Sequence, residues 1–279
     1  MLFNKKRVFA SRRSRDKRRR QYATRVGIVF IFCATLIALV SWVSWRPEIN
    51  IHTVTVFGNT TVSEEDIRSF LDERLGGGYL NIVSRANVFL FQPKVVEADL
   101  KSSFAKIQNV EVSRDSFNSI VVTIEERKPF YLWCDEQVAD KNENQCYFLD
   151  IDGYAFAPAP YFSGSVYFEF YKPFSEDKNP VGTYFLPEAE FKRLIAFRNS
   201  LREVNIEAQK FKILETLDYA FILKEGTDIF FNPKQDFDAL FNNLSATFDT
   251  EQFIQKRKRG FSLEYIDLRF DNKVYYRFE

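Results

Sequence analysis

The longest feature in the hydrophobic pattern is the run VGIVFIFCATLIALVSWVSW, residues 26–45, twenty positions without a charge. A helix rising 1.5 Å per residue over that length spans about 30 Å, the thickness of a bilayer core. No face of the run is polar, which argues against a buried helix of a soluble domain. Its length, and the lack of a small-x-small site after it, argue against a cleaved signal peptide. Trp42 and Trp45 stand at its outer end, where amphipathic rings favour the membrane interface.

From Ile49 the pattern shortens. Residues 49–57 are rich in β-branched side chains and stop at Gly58-Asn59, a turn signal. Ser63 followed by Glu64, Glu65 and Asp66 predicts a helix start with Ser63 as N-cap. Ile67, Phe70, Leu71 and Leu75 continue it until Gly76-Gly77-Gly78. A second helix is expected from Pro93, with Val96, Leu100, Phe104 and Ile107 on one face. Two strands, residues 109–114 and 119–125, follow around a turn at 115–118. The predicted order is β-α-α-β-β.

Beyond Pro129, residues 130–133 predict a strand, then a polar stretch between Cys134 and Cys146 that reads as a hairpin loop. A strand, a turn at Asp152-Gly153 and another strand come next. A helix is predicted over 187–205, strands over 211–216, 219–223 and 228–231, and a turn at Gly226. Phe237, Leu240, Phe241, Leu244 and Phe248 recur at helical spacing and read as core packing. The chain closes on YIDLRFDNKVYYRFE. Ile266, Leu268 and Phe270 are assigned to one face of a strand, Val274, Tyr276 and Phe278 to one face of the next, with a turn at Asp271-Asn272.

Charge changes the picture more than composition does. Net charge is +1. Residues 1–25, however, hold eleven basic side chains against Asp16 alone, and the remainder holds 28 basic against 37 acidic. The positive-inside rule places that tail in the cytoplasm and the body outside. An Arg-rich tail can neutralise nucleic-acid phosphates, but beside a span it is read as a topology signal that touches anionic lipid, and no nucleic-acid partner is expected. With that topology Cys134 and Cys146 lie where disulfides persist and are candidates for a bridge across the loop's base. Cys33 is read as a small apolar residue of the span. A metal site is not expected, since His52 is the single histidine.

The sequence Asp150-Ile151-Asp152-Gly153 resembles the nucleophile loop of haloacid-dehalogenase phosphatases. Tyr154 stands where those enzymes carry Thr or Val, and neither a parallel sheet with crossover helices nor a phosphate and Mg²⁺ set can be placed. As a calcium loop the motif lacks the later ligands. A membrane-anchored hydrolase would need convergent titratable groups that one histidine does not supply.

The β-α-α-β-β order after a membrane anchor resembles the POTRA domain, as do Val54 to Asn59, Val62 to Ile67 and Ile124-Glu125-Glu126-Arg127-Lys128-Pro129. The aspartate-to-glycine turn at 150–153 and the Tyr265-x-Asp267-Leu268-Arg269 strand resemble the β-domain of the FtsQ/DivIB family of cell-division proteins. That resemblance implies an α+β chain: basic cytoplasmic tail 1–25, transmembrane helix 26–45, POTRA domain 49–128, and a mixed-sheet β-domain 129–279. It implies a non-enzymatic divisome scaffold without cofactors, in the cell membrane at the septum, binding FtsB-like and FtsL-like bitopic proteins and other division proteins through the POTRA domain. The binding surface is expected at the C-terminal strand, as an open edge suited to strand addition, with Tyr265, Arg269, Val274, Tyr275, Tyr276, Arg277 and Phe278 as its residues. A POTRA-type adaptor of secretion or envelope assembly is the alternative.

Overall fold

The uncharged run lies within one long helix, α1 (Arg12–Ser44), which leads out of the basic tail without a break. The computed structural model describes the backbone of residues 12–135, 146–174, 179–224, 226–270 and 273–279, and their side chains from residue 17 on. The basic residues Lys5, Lys6 and Arg7, the side chains of Arg12, Arg13 and Arg15, the loop 136–145 and the Asp271-Asn272 turn lie outside the described residues. Within α1 the stretch Lys17–Ser44 is long and apolar enough to cross a bilayer. Its side chains find no cover in the protein: Phe30 is 73% exposed and Trp42 62%. Exposed apolar surface on this scale calls for lipid around it.

By internal contact the chain divides into two units, Met1–Leu100 with Val110–Ile124, and Lys101–Asn109 with Glu125–Glu279. In the first, a 3-10 turn (Pro47–Ile49) leads to β1 (Thr53–Phe57), α2 (Glu64–Leu75), a two-residue-stranded hairpin β2 (Gly78–Tyr79) and β3 (Val83–Ser84), and α3 (Pro93–Ser103). Strands β4 (Ile107–Arg114) and β5 (Ser119–Glu126) complete a sheet in the order β1-β5-β4, with β1 parallel to β5. Ser63 caps α2, its Oγ accepting from Glu65 N at 3.2 Å. Ile67, Leu71, Val96 and Leu100 bury from the helices, Val54, Val56, Ile120 and Val122 from the strands. Two expectations shift. The helix ends at Ser103, so Ile107 buries from a strand instead of a helix face, and the hairpin at 78–84 was not foreseen.

Among the described residues the second unit is built on a nine-stranded mixed sheet. Its strands are β6 (Tyr131–Cys134), β7 (Cys146–Leu149), β8 (Ala155–Ala159), β9 (Phe168–Tyr171), β10 (Ala208–Ile213), β11 (Tyr219–Leu223), β12 (Asp228–Phe231), β13 (Leu263–Asp267) and β14 (Tyr275–Phe278). They lie side by side in the order β14-β13-β12-β11-β10-β9-β6-β7-β8. Helices α4 (Glu188–Glu203), α5 (Phe237–Phe248) and α6 (Glu251–Lys258) interrupt the strand sequence. β9, α6 and the exact extent of β13 escaped the sequence reading.

Period-2 alternation gives the sheet one apolar face. Phe170, Phe211, Phe221, Ile229, Phe231 and Ile266 bury there together with Phe191, Leu194 and Phe197 of α4 and Phe237, Leu240 and Leu244 of α5. Phe211 alone meets the rings of Phe170, Phe185, Tyr219 and Phe221 at 4.9–6.0 Å between centroids. Among the described residues, nine phenylalanines are buried in this core.

Candidate functional site

The two edges of the nine-stranded sheet differ in their chemistry. β8 carries Pro158, which has no N–H to offer; a register shift occurs in its pairing with β7 and in that of β14 with β13 alike. The proline blunts that edge against further pairing. β14 carries no proline and has a strand partner, β13, on one side only among the described residues. Its pairing with β13 is antiparallel, Tyr265 opposite Arg277, Ile266 opposite Tyr276 and Asp267 opposite Tyr275.

Alternation along β14 sorts its side chains. Tyr276 and Phe278 face inward, their rings 5.3 and 5.2 Å from that of Phe253 on α6. Phe253 is 2% exposed and stacks on Phe248 at 4.5 Å. Val274 precedes the strand and packs half-buried against the core. Tyr275 and Arg277 face outward. Thus Val274, Tyr276 and Phe278, three of the residues assigned to a binding surface, hold the strand in place from behind, while the main-chain edge and the outward pair remain open.

The residues between β13 and β14 behave differently from a plain hairpin. Asp267 Oδ1 accepts from the backbone N of Arg269 at 3.0 Å and from its Nε at 2.9 Å, and Arg269 Nη2 reaches Asp267 Oδ2 at 2.6 Å. Asp218 Oδ2 takes Arg269 Nη1 at 3.3 Å, and the guanidinium lies 5.3 Å from the centre of the Phe230 ring. Burial raises the Asp267 carboxyl, but the Arg269 hydrogen bonds and charge outweigh it and hold it below its ordinary value. This clamp ends β13 at Asp267 and breaks the alternation, so Phe270 does not join Ile266 and Leu268 inside. It emerges 53% exposed, edge-on to Tyr275 at 5.3 Å, Tyr275 being 48% exposed.

Arg269 is accordingly committed within the chain, whereas Arg277 makes an exposed pair with Glu264 at 2.9 Å. Tyr265 sits half-buried on the outer face across from Arg277. The site that results is an open strand flanked by the exposed Phe270–Tyr275 pair and Arg277. Phe270 is the residue that sequence reasoning missed, because a strand template put it on one face with Ile266 and Leu268.

The carboxylates of the Asp150-x-Asp152-Gly153 motif serve the turn itself. Asp150 Oδ1 accepts from the N–H groups of Asp152 and Tyr154, both at 2.9 Å, and Oδ2 pairs with Arg127. Asp152 pairs with Lys192 at 3.0 Å. Gly153, at φ +81°, lies so close to Phe191 that a Cβ would stand 2.7 Å from the ring. Where β6 and β7 meet, Cys134 stands opposite Cys146, with Cα atoms 4.2 Å apart and the sulfurs joined. Among the described residues no three His, Cys, Asp or Glu side chains converge to hold a metal ion.

A family description, the FtsQ-type POTRA domain, matches residues 49–127, the segment that carries β1, α2, α3, β4 and β5. No curated protein matches the chain. The match ends one residue short of the border expected at 128. A FtsQ-type POTRA domain preceded by one exposed apolar helix is the build of a single-pass membrane protein, and the chain fits an FtsQ/DivIB-like bitopic protein.

Proposed function

We propose that this chain is a non-enzymatic scaffold of the division machinery that receives FtsB-like and FtsL-like bitopic partners at β14 by strand addition. The FtsQ-type POTRA domain supports a cell-division role, and the family it marks is one of non-catalytic scaffolds. The observation that carries the binding mode is the contrast between the two sheet edges. β8 is blunted by Pro158, while β14, with one strand neighbour among the described residues, lies beside two exposed aromatic rings. An added strand would pair with the β14 main chain, and aromatic anchors at such a site contribute the larger share of binding energy.

In this reading the basic tail lies in the cytoplasm and residues 49–279 lie outside it, at the division septum. The Cys134–Cys146 bridge supports the orientation, because disulfides persist in oxidising compartments. The POTRA domain is assigned to other division proteins, and the tail to anionic lipid.

The test uses the full chain in lipid nanodiscs against separately purified FtsB-like and FtsL-like proteins. Tyr275→Lys, and Phe270→Ala in a second variant, should each weaken binding by at least about tenfold, the loss usual for an anchor residue, with unchanged circular dichroism and melting. Binding that survives both variants moves the site off β14. Failure of the unaltered chain to bind moves weight to an adaptor of secretion or envelope assembly.

A further inference from the structure

The hairpin β2–β3 departs from ordinary turn chemistry. Between the paired Tyr79 and Val83 stands a three-residue loop, whose β-turn Tyr79-Leu80-Asn81-Ile82 is closed by Ile82 N donating to Tyr79 O at 3.0 Å. Leu80 and Asn81 both adopt left-handed backbone, φ +52° and +58°. A turn with both central residues left-handed favours Asn or Gly at those positions. Asparagine suits the second, but leucine at the first is strained, since its Cβ crowds the backbone there. The same leucine is 91% exposed, with Tyr79 56% and Ile82 37% exposed beside it. An apolar side chain held in an unfavourable conformation and given no cover in its own chain is placed for something outside it.

What lies outside follows from where the hairpin is fastened. Ser84, the last residue of β3, donates its N–H to Ser44 Oγ at 3.0 Å, and Ser44 is the last residue of the apolar helix α1. On the other strand, Gly78 approaches Trp45 so closely that a Cβ would stand 3.0 Å from the ring. Both legs of the hairpin are therefore clasped to the point where the span ends. At about 3.3 Å per residue, a tip three to four residues from Ser84 lies within roughly 10–13 Å of that residue, and so near the end of the span. Trp42, 62% exposed, and Arg46, stacked over it at 4.0 Å, mark the same level as headgroup territory. Arg85 lies 5.7 Å from the Tyr79 ring and adds a cation suited to lipid phosphate.

We propose that the β2–β3 hairpin is a lipid-contacting finger. Leu80 at its tip, with Tyr79 and Ile82, enters the boundary between headgroups and acyl chains of the leaflet in which α1 ends. The occupant of this apolar surface is the bilayer, because the hairpin is continuous with the membrane span through Ser44 and Trp45. A second membrane contact beside a single helix restrains the tilt and rotation of the first unit over the bilayer, which one flexible crossing alone does not.

The full chain in nanodiscs of phosphatidylcholine and phosphatidylglycerol tests this, with no other protein present. In a Cys33→Ala background, Leu80→Cys is labelled with an environment-sensitive fluorophore. Emission should shift to the blue, and quenching by lipid carrying a nitroxide near the headgroup should exceed quenching by aqueous iodide by about twofold or more, as for an interfacial side chain. A label at Asn81→Cys reads the same tip should the first variant fold poorly. Full iodide access with no lipid quenching at both positions overturns the proposal and leaves the tip for a protein partner. Partner binding at β14 is measured independently, so either reading can fail alone.

Discussion

At single positions, two side-chain arrangements set limits that substitution can test. Gly153 combines a left-handed backbone with the face of Phe191 at van der Waals contact. Gly153→Ala adds both backbone strain and overpacking, together about 3 kcal/mol, to be read as a fall in the chemical-denaturation midpoint of the second unit. The Asp267–Arg269 clamp predicts a pH dependence with a definite sign. The folded carboxyl titrates below its unfolded value of about 3.9. Its contribution is therefore complete above that value and is lost as pH falls through the folded one. Arg269→Met should lower the melting temperature at pH 7, by about 2 kcal/mol in free energy for a nearly buried carboxylate left without its partner. As pH falls below the unfolded value of about 3.9, the difference between variant and parent should shrink. An undiminished difference at low pH would mean that Arg269 acts through packing on Phe230 instead.

Elements gain their roles from neighbours more than from their own sequence. α6 buries a single residue, Phe253, and its helical pattern is correspondingly faint. Yet that ring supports Tyr276 and Phe278 from behind and so keeps β14 flat against β13. Phe253→Ala should cost about 3–4 kcal/mol as a large-to-small core change, and amide exchange should quicken first at residues 275–278. Uniform exchange across the sheet would deny α6 that local role. β9 shows the converse. Its alternating Phe168, Glu169, Phe170 and Tyr171 are typical of a strand, but a Pro, Gly and Ser-containing stretch masks its start. Only pairing in parallel with both β6 and β10 establishes it at the centre of the sheet.

For the molecule as a whole, the charge asymmetry, the exposed apolar helix and the disulfide point the same way. A bridge closing a loop of this length restricts the unfolded chain by about 3 kcal/mol. Reductant, or the Cys134→Ala and Cys146→Ala pair, should lower the melting temperature of the second unit accordingly, and equal melting with and without reductant would show the link to be energetically idle. Labelling of introduced cysteines in intact cells reads orientation directly: the proposed topology predicts reaction at exposed Leu217→Cys from outside and none in the tail.

Much of this protein was legible without a structure, because the signals involved are local. Twenty uncharged residues, the Ser63 cap, the 3.6-residue period of α5 and the alternation of β5 each depend on neighbours in the chain, and each falls where its pattern places it. The motif at Asp150 was likewise readable as a turn. What only the tertiary structure decided depends on partners distant in sequence. The order of nine strands makes β14 and β8 the edges. The Asp267–Arg269 clamp, tied to Asp218 some fifty residues away, turns Phe270 outward against the strand period. The bond from Ser84 to Ser44, forty residues apart, seats a strained hairpin at the end of the span. Periodicity reports which face of an element is apolar; it carries no record of which other segment arrives to cover that face, or leaves it bare.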